Sequence, residues 1–504
     1  MFKRAKPAQL LRKPSWAQPL LEDLATNGTL IYFPGSAEFA DSETNYYTAQ
    51  ANEVQSAAVA RPHSAQEVAT VLKALRRHLP DSVPIAIRGA GHATFAGAAK
   101  AENGVTVDTR GLRGIDILPG GVVRIGAGHE WLDVYTALEA HEPPLTVAGG
   151  RAGRVGVAGF LLGGGISYFS SQYGFGADSV RTWEVVLANG DIIRASREDP
   201  ETADLWDALR GGSTNFGIVT AVEMACFPHP AHFRCSNLFY LYPARQATLQ
   251  ALVDQGSRPD LAVTHAIWAI THVAGMPFKV INVMASTTDP ANCGGLDGFL
   301  NAPGRVPLVG ALKERKHSHF AKQVGNLSPK DGSRTINRSI SFKLNSQFLN
   351  TAVDMWYGFV ESTRHVSGIL NTLVFLALPT SMLQVSRDTS APSFPDPKPT
   401  KNSQGLCPED GPLAIMEICL TWRNADDDAF MIEKGTQFLR EVKLAAKEMG
   451  LEHCYIFPNY AWPQEHVIQS YGADRLAVLR RVASRWDPDG FFQYRVIGGY
   501  KINV

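Results

Sequence analysis

A short apolar run, Pro84 to Ile87, breaks into Arg88-Gly89-Ala90-Gly91-His92, and this break restricts the chain more than any other feature. The run reads as a strand and the residues after it as a tight loop with little side-chain bulk. With no Cβ at Gly89 and Gly91, backbone N–H groups approach a diphosphate closely. A histidine at the end of the loop is then held beside whatever the loop cradles. A second glycine-dense stretch, GGRAGRVGVAGFLLGGGISYFSSQYGFGADSV, runs from Gly149 to Val180. Two such clusters point to backbone wrapped around a ligand rather than to turns needed only for packing. Neither matches the GxGxxG dinucleotide fingerprint or a phosphate loop ending in GK[ST]. A nicotinamide-dependent Rossmann enzyme and a nucleotide triphosphatase are both disfavoured.

With 504 residues the chain has length for about two to three domains, each with a full core. Lys+Arg and Asp+Glu balance at 48 each, so no basic field recruits nucleic acid or an anionic membrane. The expected partner is a small organic substrate, with no obligate protein partner. The N-terminus, MFKRAKPAQLLRKPSW, is basic without the apolar segment of a signal peptide, and no run reaches the length of a membrane span. The chain is read as soluble and cytoplasmic, or as secreted if its N-terminus has been trimmed. Cys226, Cys235, Cys293, Cys407, Cys419 and Cys454 show no CxxC spacing. No metal is expected, and buried free thiols are. Sequons at Asn27, Asn326 and Asn337 are close to chance for this composition.

The first 225 residues alternate strands and helices. SAQEVATVLKALRRH opens with a capping box, Ser64 to Glu67, and places Val68, Val71, Leu72 and Leu75 on one helical face. VTVDTRG and VVRIGAG read as strands. HEWLDVYTALEAH reads as a helix with Trp131, Val134, Tyr135 and Leu138 inward. WEVVLANGDIIRAS reads as a hairpin with a type I′ turn at Asn189-Gly190. ETADLWDALRGG reads as a short helix ended by glycine. Beyond Phe227-Pro228 the glycine density falls. Strand-like runs at Leu261 to Val273, Lys279 to Ser286, Leu370 to Leu378 and Leu413 to Trp422 suggest a second domain on an antiparallel sheet. The Ser/Pro/Lys-rich stretch Ser390 to Gln404 reads as a mobile loop. The expected division is 1–228 for cofactor binding, 229–454 for substrate, and 455–504 returning to the first domain.

Four segments occur in the order and spacing of one superfamily: IRGAGH, VGVAGFLLGGGISYFSSQYG (Val155 to Gly174), LWDALRGGSTNFGIVT (Leu205 to Thr220) and WDPDGFFQ (Trp486 to Gln493). The chain resembles FAD-linked oxidoreductases of the vanillyl-alcohol oxidase/p-cresol methylhydroxylase superfamily, and among them the fungal berberine-bridge-enzyme-like branch. The resemblance implies a two-domain α+β fold of the p-cresol-methylhydroxylase type, with FAD in one domain and an antiparallel-sheet substrate domain over it. It implies that His92 carries the flavin covalently. Many relatives add a cysteine bond three residues before the valine of VGVxG. Here that position is Ala152, so attachment should be monocovalent, with a less oxidising flavin and a more confined pocket mouth. Val155 stands where valine goes with oxygen access in the family, which favours an oxidase. Arg88, Gly89, Ala90, Gly91, Gly149, Gly150, Gly156, Gly159, Gly163, Gly164 and Gly165 would line the diphosphate and isoalloxazine. Asn215, Gly217, Ile218 and Val219 would sit near the adenine.

On the substrate side, alternation along MEICLTW sets Met416, Ile418, Leu420 and Trp422 on one face and Glu417, Cys419 and Thr421 on the other. A lone glutamate on a strand usually meets solvent. In relatives the residue five before the tryptophan faces the flavin and serves as base, so the resemblance makes Glu417 the candidate. A carboxylate above an apolar ring system has its pKa raised by desolvation, which suits proton abstraction near neutral pH. Asn459-Tyr460 matches the family's NY pair, and Tyr460 is the second candidate to orient or deprotonate substrate. Trp462 replaces the aspartate that often follows NYA, which argues against copying a sugar-oxidase mechanism. Tyr173, Cys419 and His272 complete the pocket candidates.

The reading is an FAD-dependent oxidase that takes hydride from a small substrate, expected to be a secondary metabolite, and is reoxidised by O2 to give H2O2. Redox-neutral cyclisation on the same scaffold, oligosaccharide oxidation, ligand binding without turnover and an unrelated nicotinamide enzyme are the alternatives. Substrate identity is not readable from these residues.

Overall fold

The computed structural model describes residues 14–25, 30–230, 233–258, 260, 263–275, 279–289, 294–306, 311–326, 333–390 and 400–503. Asn27, Cys293 and the basic segment before Pro14 lie outside them. Strands β1 (Ile31–Tyr32), β2 (Ala58–Ala60), β3 (Ile85–Arg88) and β4 (Val105–Asp108) form a sheet in the order β1-β2-β4-β3. β4 is parallel to both β2 and β3. The chain crosses from β2 to β3 through helix Ala65–His78. Ser64 caps this helix by accepting from the Glu67 N–H at 3.2 Å. The Glu67 carboxylate reaches the His63 N–H, one residue outside the expected box. Val68, Val71, Leu72 and Leu75 are fully buried, as their spacing predicts.

A five-stranded antiparallel sheet follows, made of β5 (Ile115–Leu118), β6 (Val122–Gly126) and, past the short β7 (Leu145–Thr146), β8 (Val180–Val186), β9 (Ile192–Ser196) and β10 (Ile218–Ala225). Its order is β5-β6-β10-β8-β9, and β7 pairs with β11 (Phe227–Pro228). The β8–β9 hairpin differs from expectation. Gly190 has φ +84° and Asn189 does not share the left-handed region. The Leu187 N–H donates to the Asp191 carbonyl at 2.9 Å, closing a three-residue loop rather than a two-residue type I′ turn.

Beyond residue 228 an eight-stranded sheet takes over: β12 (Arg234–Leu241), β13 (Thr264–Val273), β14 (Val280–Thr287), β15 (Lys313–Glu314), β16 (Arg334–Lys343), β17 (Leu370–Leu378), β18 (Leu413–Trp422) and β19 (Glu452–His453). The order is β15-β12-β14-β13-β17-β18-β16-β19, with every pair antiparallel. β12 and β16 had no counterpart among the expected strands. On β16 one face is Thr335, Asn337, Ser339 and Ser341, so no apolar run marks the strand.

Both faces of this sheet are covered. Trp268, Phe375, Met416, Ile418, Leu420 and Trp422 pack in one core with helices Arg245–Ser257, Ser346–Thr363 and Asp428–Glu448. From the opposite face Ile267, Leu376 and Ile415 enter a core with Trp131, Val134, Tyr135 and Leu138 of helix Trp131–Glu139. This is the expected α+β architecture. The tail also returns to the first sheet: the Ile85 N–H donates to the Arg495 carbonyl and the Ile497 N–H to the Ile85 carbonyl, at 2.9 and 2.7 Å.

Residues 391–399 of the expected mobile loop lie outside the described part. Its end, however, is a packed element. Asn402, Ser403 and Gln404 are buried. The Asn402 side chain accepts from the Gln404 and Leu406 N–H groups at 2.9 Å each, which gives a polar segment local partners of its own.

One buried ion cluster ties the second glycine stretch to two helices. Arg210, fully buried, pairs with Asp178 and, at 3.0 Å, with Asp207. Asp207 also takes Arg475 at 2.7 Å. Asp178 in turn accepts the Phe175 N–H at 2.7 Å. Replacing Arg210 by Met removes the cation and leaves Asp178 without its counter-charge in a water-poor interior. The variant should lose about 3–5 kcal/mol of stability by urea unfolding; a loss below about 1 kcal/mol would show that the cluster is not structural.

Candidate active site

Glu417 lies midway along β18, in register with Ser339 of β16 and Val374 of β17. Strand parity turns Ile415, Glu417, Cys419 and Thr421 away from the helix-packed face. The same parity brings Asn337 and Ser339 from β16, and His265 from β13, to that side. Glu417 is 5% exposed. Its Oε1 accepts from Asn337 Nδ2 at 2.8 Å, and the Cys419 thiol bonds to the carboxylate. Desolvation is the dominant influence and raises the carboxyl to about 7, against the bond from Cys419, the field of Arg151 and the bond from Asn337. A base poised there is half ionised at neutral pH.

Tyr460 and Arg151 stand together in this pocket. An Arg151 amino group donates to the Tyr460 hydroxyl oxygen. A second Arg151 nitrogen lies 3.4 Å from His265 Nε2. Burial raises the Tyr460 hydroxyl, outweighing Arg151, and lowers His265 well below its ordinary range. Both groups are therefore neutral near pH 7. With its oxygen engaged by Arg151, Tyr460 presents its O–H as a donor. The loop bearing Arg151 is fixed from two sides: Tyr135 donates to the Gly150 carbonyl at 2.7 Å, and the Gly153 N–H donates to the Ala321 carbonyl at 3.0 Å.

The two glycine stretches meet. A Cβ built on Gly156 would lie 2.9 Å from the Ala90 Cβ, so glycine is needed for the loops to touch. Gly89 and Gly159 differ: a Cβ there meets no protein atom within 4 Å. Protein packing does not require those two glycines, and the open backbone leaves room for a ligand. His92 closes the first loop with its ring stacked on Tyr47, centroids 4.2 Å apart. Burial lowers the imidazole to about 4, so it is neutral at physiological pH. This loop is stitched to β16. The Asn337 N–H donates to Thr94 Oγ1 at 3.4 Å, and Gln50 exchanges hydrogen bonds with the Thr335 backbone. Asn337 thus joins the two sides: its N–H bonds Thr94, two residues after His92, and its side chain bonds Glu417. Asn337 Oδ1 and Ser339 Oγ are buried there without a hydrogen-bond partner among the described residues. Glycine backbone left open, a neutral histidine and orphaned polar atoms fit an extended flavin cofactor lying between loops and sheet.

Other expected residues fall elsewhere. His272 is one residue out of parity: it shares the face of Trp268 and Ile270, which packs on the helices, and His265 takes the inward position. Tyr173 is 37% exposed and stacks on Phe227, centroids 4.5 Å apart, whereas Tyr168 is the buried tyrosine beside Arg151. Asn459 clamps the glycine loop, accepting from the Gly165 N–H and donating to the Phe160 carbonyl, both at 3.1 Å. The Arg88 side chain is buried under Tyr46 and donates to the Ser42 and Thr44 carbonyls. Gly149 and Gly150 make room for Trp131, Gly163 for Asn459, and Gly164 for Gln404. Asn215 donates to the Gly212 and Tyr500 carbonyls and accepts from Gln493. Gly217 lies against Val185, and Ile218 and Val219 enter β10 as core. Val155 is half-buried, its carbonyl held by the Trp131 N–H.

Arg151, His265, Asn337 and Ser339 were absent from the sequence candidates. Arg151 stood in plain view inside the second glycine stretch, and counting by two from Ile267 reaches His265. Asn337 and Ser339 carried no signal, because β16 itself had none. Trp462, at the position that departs from the family, packs edge-on to Phe95, centroids 6.0 Å apart.

A family model described as an FAD binding domain matches residues 56–196. An FAD-dependent monooxygenase of Fusarium proliferatum is 30% identical over 466 residues, 91% of this chain and 87% of that protein. Another, of Cochliobolus heterostrophus, is 29% identical over 484 residues, 94% of this chain and 90% of its own. Among solved structures, 6-hydroxy-D-nicotine oxidase of Arthrobacter nicotinovorans superposes with a TM-score of 0.73 at 19% identity, covering 94% of this chain and 97% of that one. Berberine bridge enzyme of Eschscholzia californica gives 0.72 at 16% identity, covering 96% and 100%. The chain therefore belongs to the same family as the fungal FAD-dependent monooxygenases, has the fold of berberine bridge enzyme, and is an FAD-dependent oxidoreductase.

Proposed function

We propose that the protein is an oxidase of a small organic secondary metabolite, with FAD held through a single covalent bond to His92. The observation that carries this reading is Asn337, which bonds the desolvated Glu417 through its side chain and the loop of His92 through its N–H to Thr94. FAD, when bound, supplies the two-electron acceptor for a substrate C–H bond and returns those electrons to O2 as H2O2. Glu417 takes the proton released from the substrate, because its carboxylate is ionised in part at neutral pH and shielded from water. Tyr460 stays protonated and donates a hydrogen bond, so the role of base falls to Glu417 alone. Loop and sheet hold the substrate carbon in place and exclude water. Ala152 leaves no sulfur where relatives make a second bond, and Val155 stands at the position that goes with oxygen access. We take 1–228 as the flavin-binding unit, 229–454 as the substrate unit and 455–504 as a return segment; the bonding of residues 495–497 to β3 supports that return.

Monooxygenation is the second reading, favoured by the names of the Fusarium and Cochliobolus relatives. It consumes an external reductant and leaves one atom of O2 in the product, so isotope-labelled O2 separates the two. No helix among the described residues is long and apolar enough to cross a membrane.

Three outcomes are expected. Acid precipitation of the purified protein should leave yellow colour in the pellet, and the His92→Ala variant should release it to the supernatant; release from the parent protein would sink the covalent bond. The rate of substrate oxidation should rise with pH through an apparent pKa near 7, since the deprotonated carboxylate is the active form. Glu417→Gln should abolish that rise and slow turnover by about 100-fold or more, while a retained profile would assign the base elsewhere. Gly89→Ala should keep the parent's unfolding midpoint when both are compared flavin-free, because no protein atom meets its Cβ, yet lower bound flavin per chain. Full flavin content would show that no ligand lies on that backbone.

A further inference from the structure

The pocket contains a positive charge that the proposed oxidation does not require. Arg151 enters it from the second glycine stretch, and its partners there are the Tyr460 hydroxyl and His265 Nε2. Both are neutral. Arg151, half-buried, forms no ion pair with a carboxylate among the described residues, in contrast to the buried Arg210, Arg334, Arg338 and Arg475, which hold acids at bonding distance, and to the buried Arg88, which donates to the Ser42 and Thr44 carbonyls. The groups ranged around it are Glu417 and Cys419 of β18, His265 of β13, Tyr168 and Tyr460. The only acid among them, Glu417, is kept largely uncharged below neutral pH by its burial.

A half-buried guanidinium without a counter-charge is stabilised when an anion joins it, and it offers five N–H donors in a planar fork. Tyr460 and His265 engage one nitrogen each, which leaves further N–H groups for a ligand. The Tyr460 O–H, its oxygen engaged by Arg151, is a second donor beside them. Ser339 Oγ and Asn337 Oδ1 are orphaned polar atoms on the neighbouring sheet face. A hydrocarbon or a neutral polyol would leave the Arg151 charge uncompensated.

We propose that Arg151 is a specificity-determining residue that binds an oxyanion of the substrate, a carboxylate or an ionised phenol, with the Tyr460 O–H as second donor. This rests on the reading of the Glu417 pocket as the substrate site. It narrows that reading from small organic molecules to acidic, oxygen-bearing ones, and it places the anion on the Tyr460 side of Glu417. Arg151 binds and orients; the proton acceptor remains Glu417.

The test is calorimetric titration of the flavin-loaded protein with two matched pairs of probes, benzoate against benzamide and para-nitrophenol, at a pH where it is ionised, against para-nitroanisole. The parent protein should bind at least one anion and discriminate against its neutral partner. Preference in the first pair assigns a carboxylate, and in the second a phenolate. Arg151→Gln should weaken the anion by about 10- to 100-fold and leave the neutral partner unchanged. Arg151→Lys, which keeps the charge but loses the fork, should restore part of the affinity. Equal affinity or no affinity within both pairs, or an anion preference that survives Arg151→Gln, overturns the proposal. Flavin absorbance of the same samples is the separate readout: yellow protein without anion preference sinks the oxyanion assignment alone. Colourless protein sinks the flavoprotein reading, while the heats still judge Arg151.

Discussion

An eight-stranded antiparallel sheet with apolar and semi-polar residues on both faces has to be covered twice, and the rest of the molecule follows from that requirement. Helices Arg245–Ser257, Ser346–Thr363 and Asp428–Glu448 cover one face with ordinary hydrophobic packing. The other face meets the glycine-rich half, where Ile267, Leu376 and Ile415 share a core with the helix bearing Trp131 and Tyr135. The glycine loops of that half pack closely against one another and against side chains such as Trp131 and Asn459, while Gly89 and Gly159 have no protein atom within 4 Å of a Cβ position.

The same desolvation sets every protonation state that matters. It raises Glu417 to about 7, keeps Tyr460 protonated, and holds His92 and His265 neutral. One cause thus produces a base, a donor and an uncharged imidazole within one pocket, because burial always disfavours the charged form whichever sign it has. Hydrogen bonding then distinguishes among them. Asn337 and Cys419 support the Glu417 carboxylate, whereas Arg151 takes the Tyr460 oxygen. Arg151 has no carboxylate partner among the described residues, which makes it the proposed place where a ligand's charge is read.

Much of the architecture was legible. The 3.6 spacing of helix Ala65–His78, the strand runs at β17 and β18 and the motif order of the first half all gave correct elements, because each depends on residues close in the chain. β18 also yielded the orientation of Glu417, since alternation is a property of the strand alone. What failed was of two kinds. His272 was placed by its presence on a strand without counting parity from the core. β16 was invisible because one face carries Thr335, Asn337, Ser339 and Ser341, so no apolar run marks it; β12 was missed although Leu238 to Leu241 form an apolar run.

The glycine clusters show where local reading stops. From sequence, Gly149, Gly150, Gly156, Gly159 and Gly163 to Gly165 all looked like ligand-facing backbone. In the fold, Gly149 and Gly150 yield to Trp131, Gly163 to Asn459 and Gly164 to Gln404, while Gly89 and Gly159 face open space. A glycine's reason lies in what approaches it, and that is set by chain segments up to some three hundred residues away, as Asn459 is from Gly163. The sequence by itself determined the element pattern, the family and the inward facing of Glu417, because these follow from periodicity and from motifs carried in short windows. Only the tertiary structure decided that Glu417 is desolvated, that Tyr460 donates and that Arg151 stands beside them with no carboxylate partner among the described residues. Burial and charge pairing are properties of the space between distant segments, and no window of the chain contains that space.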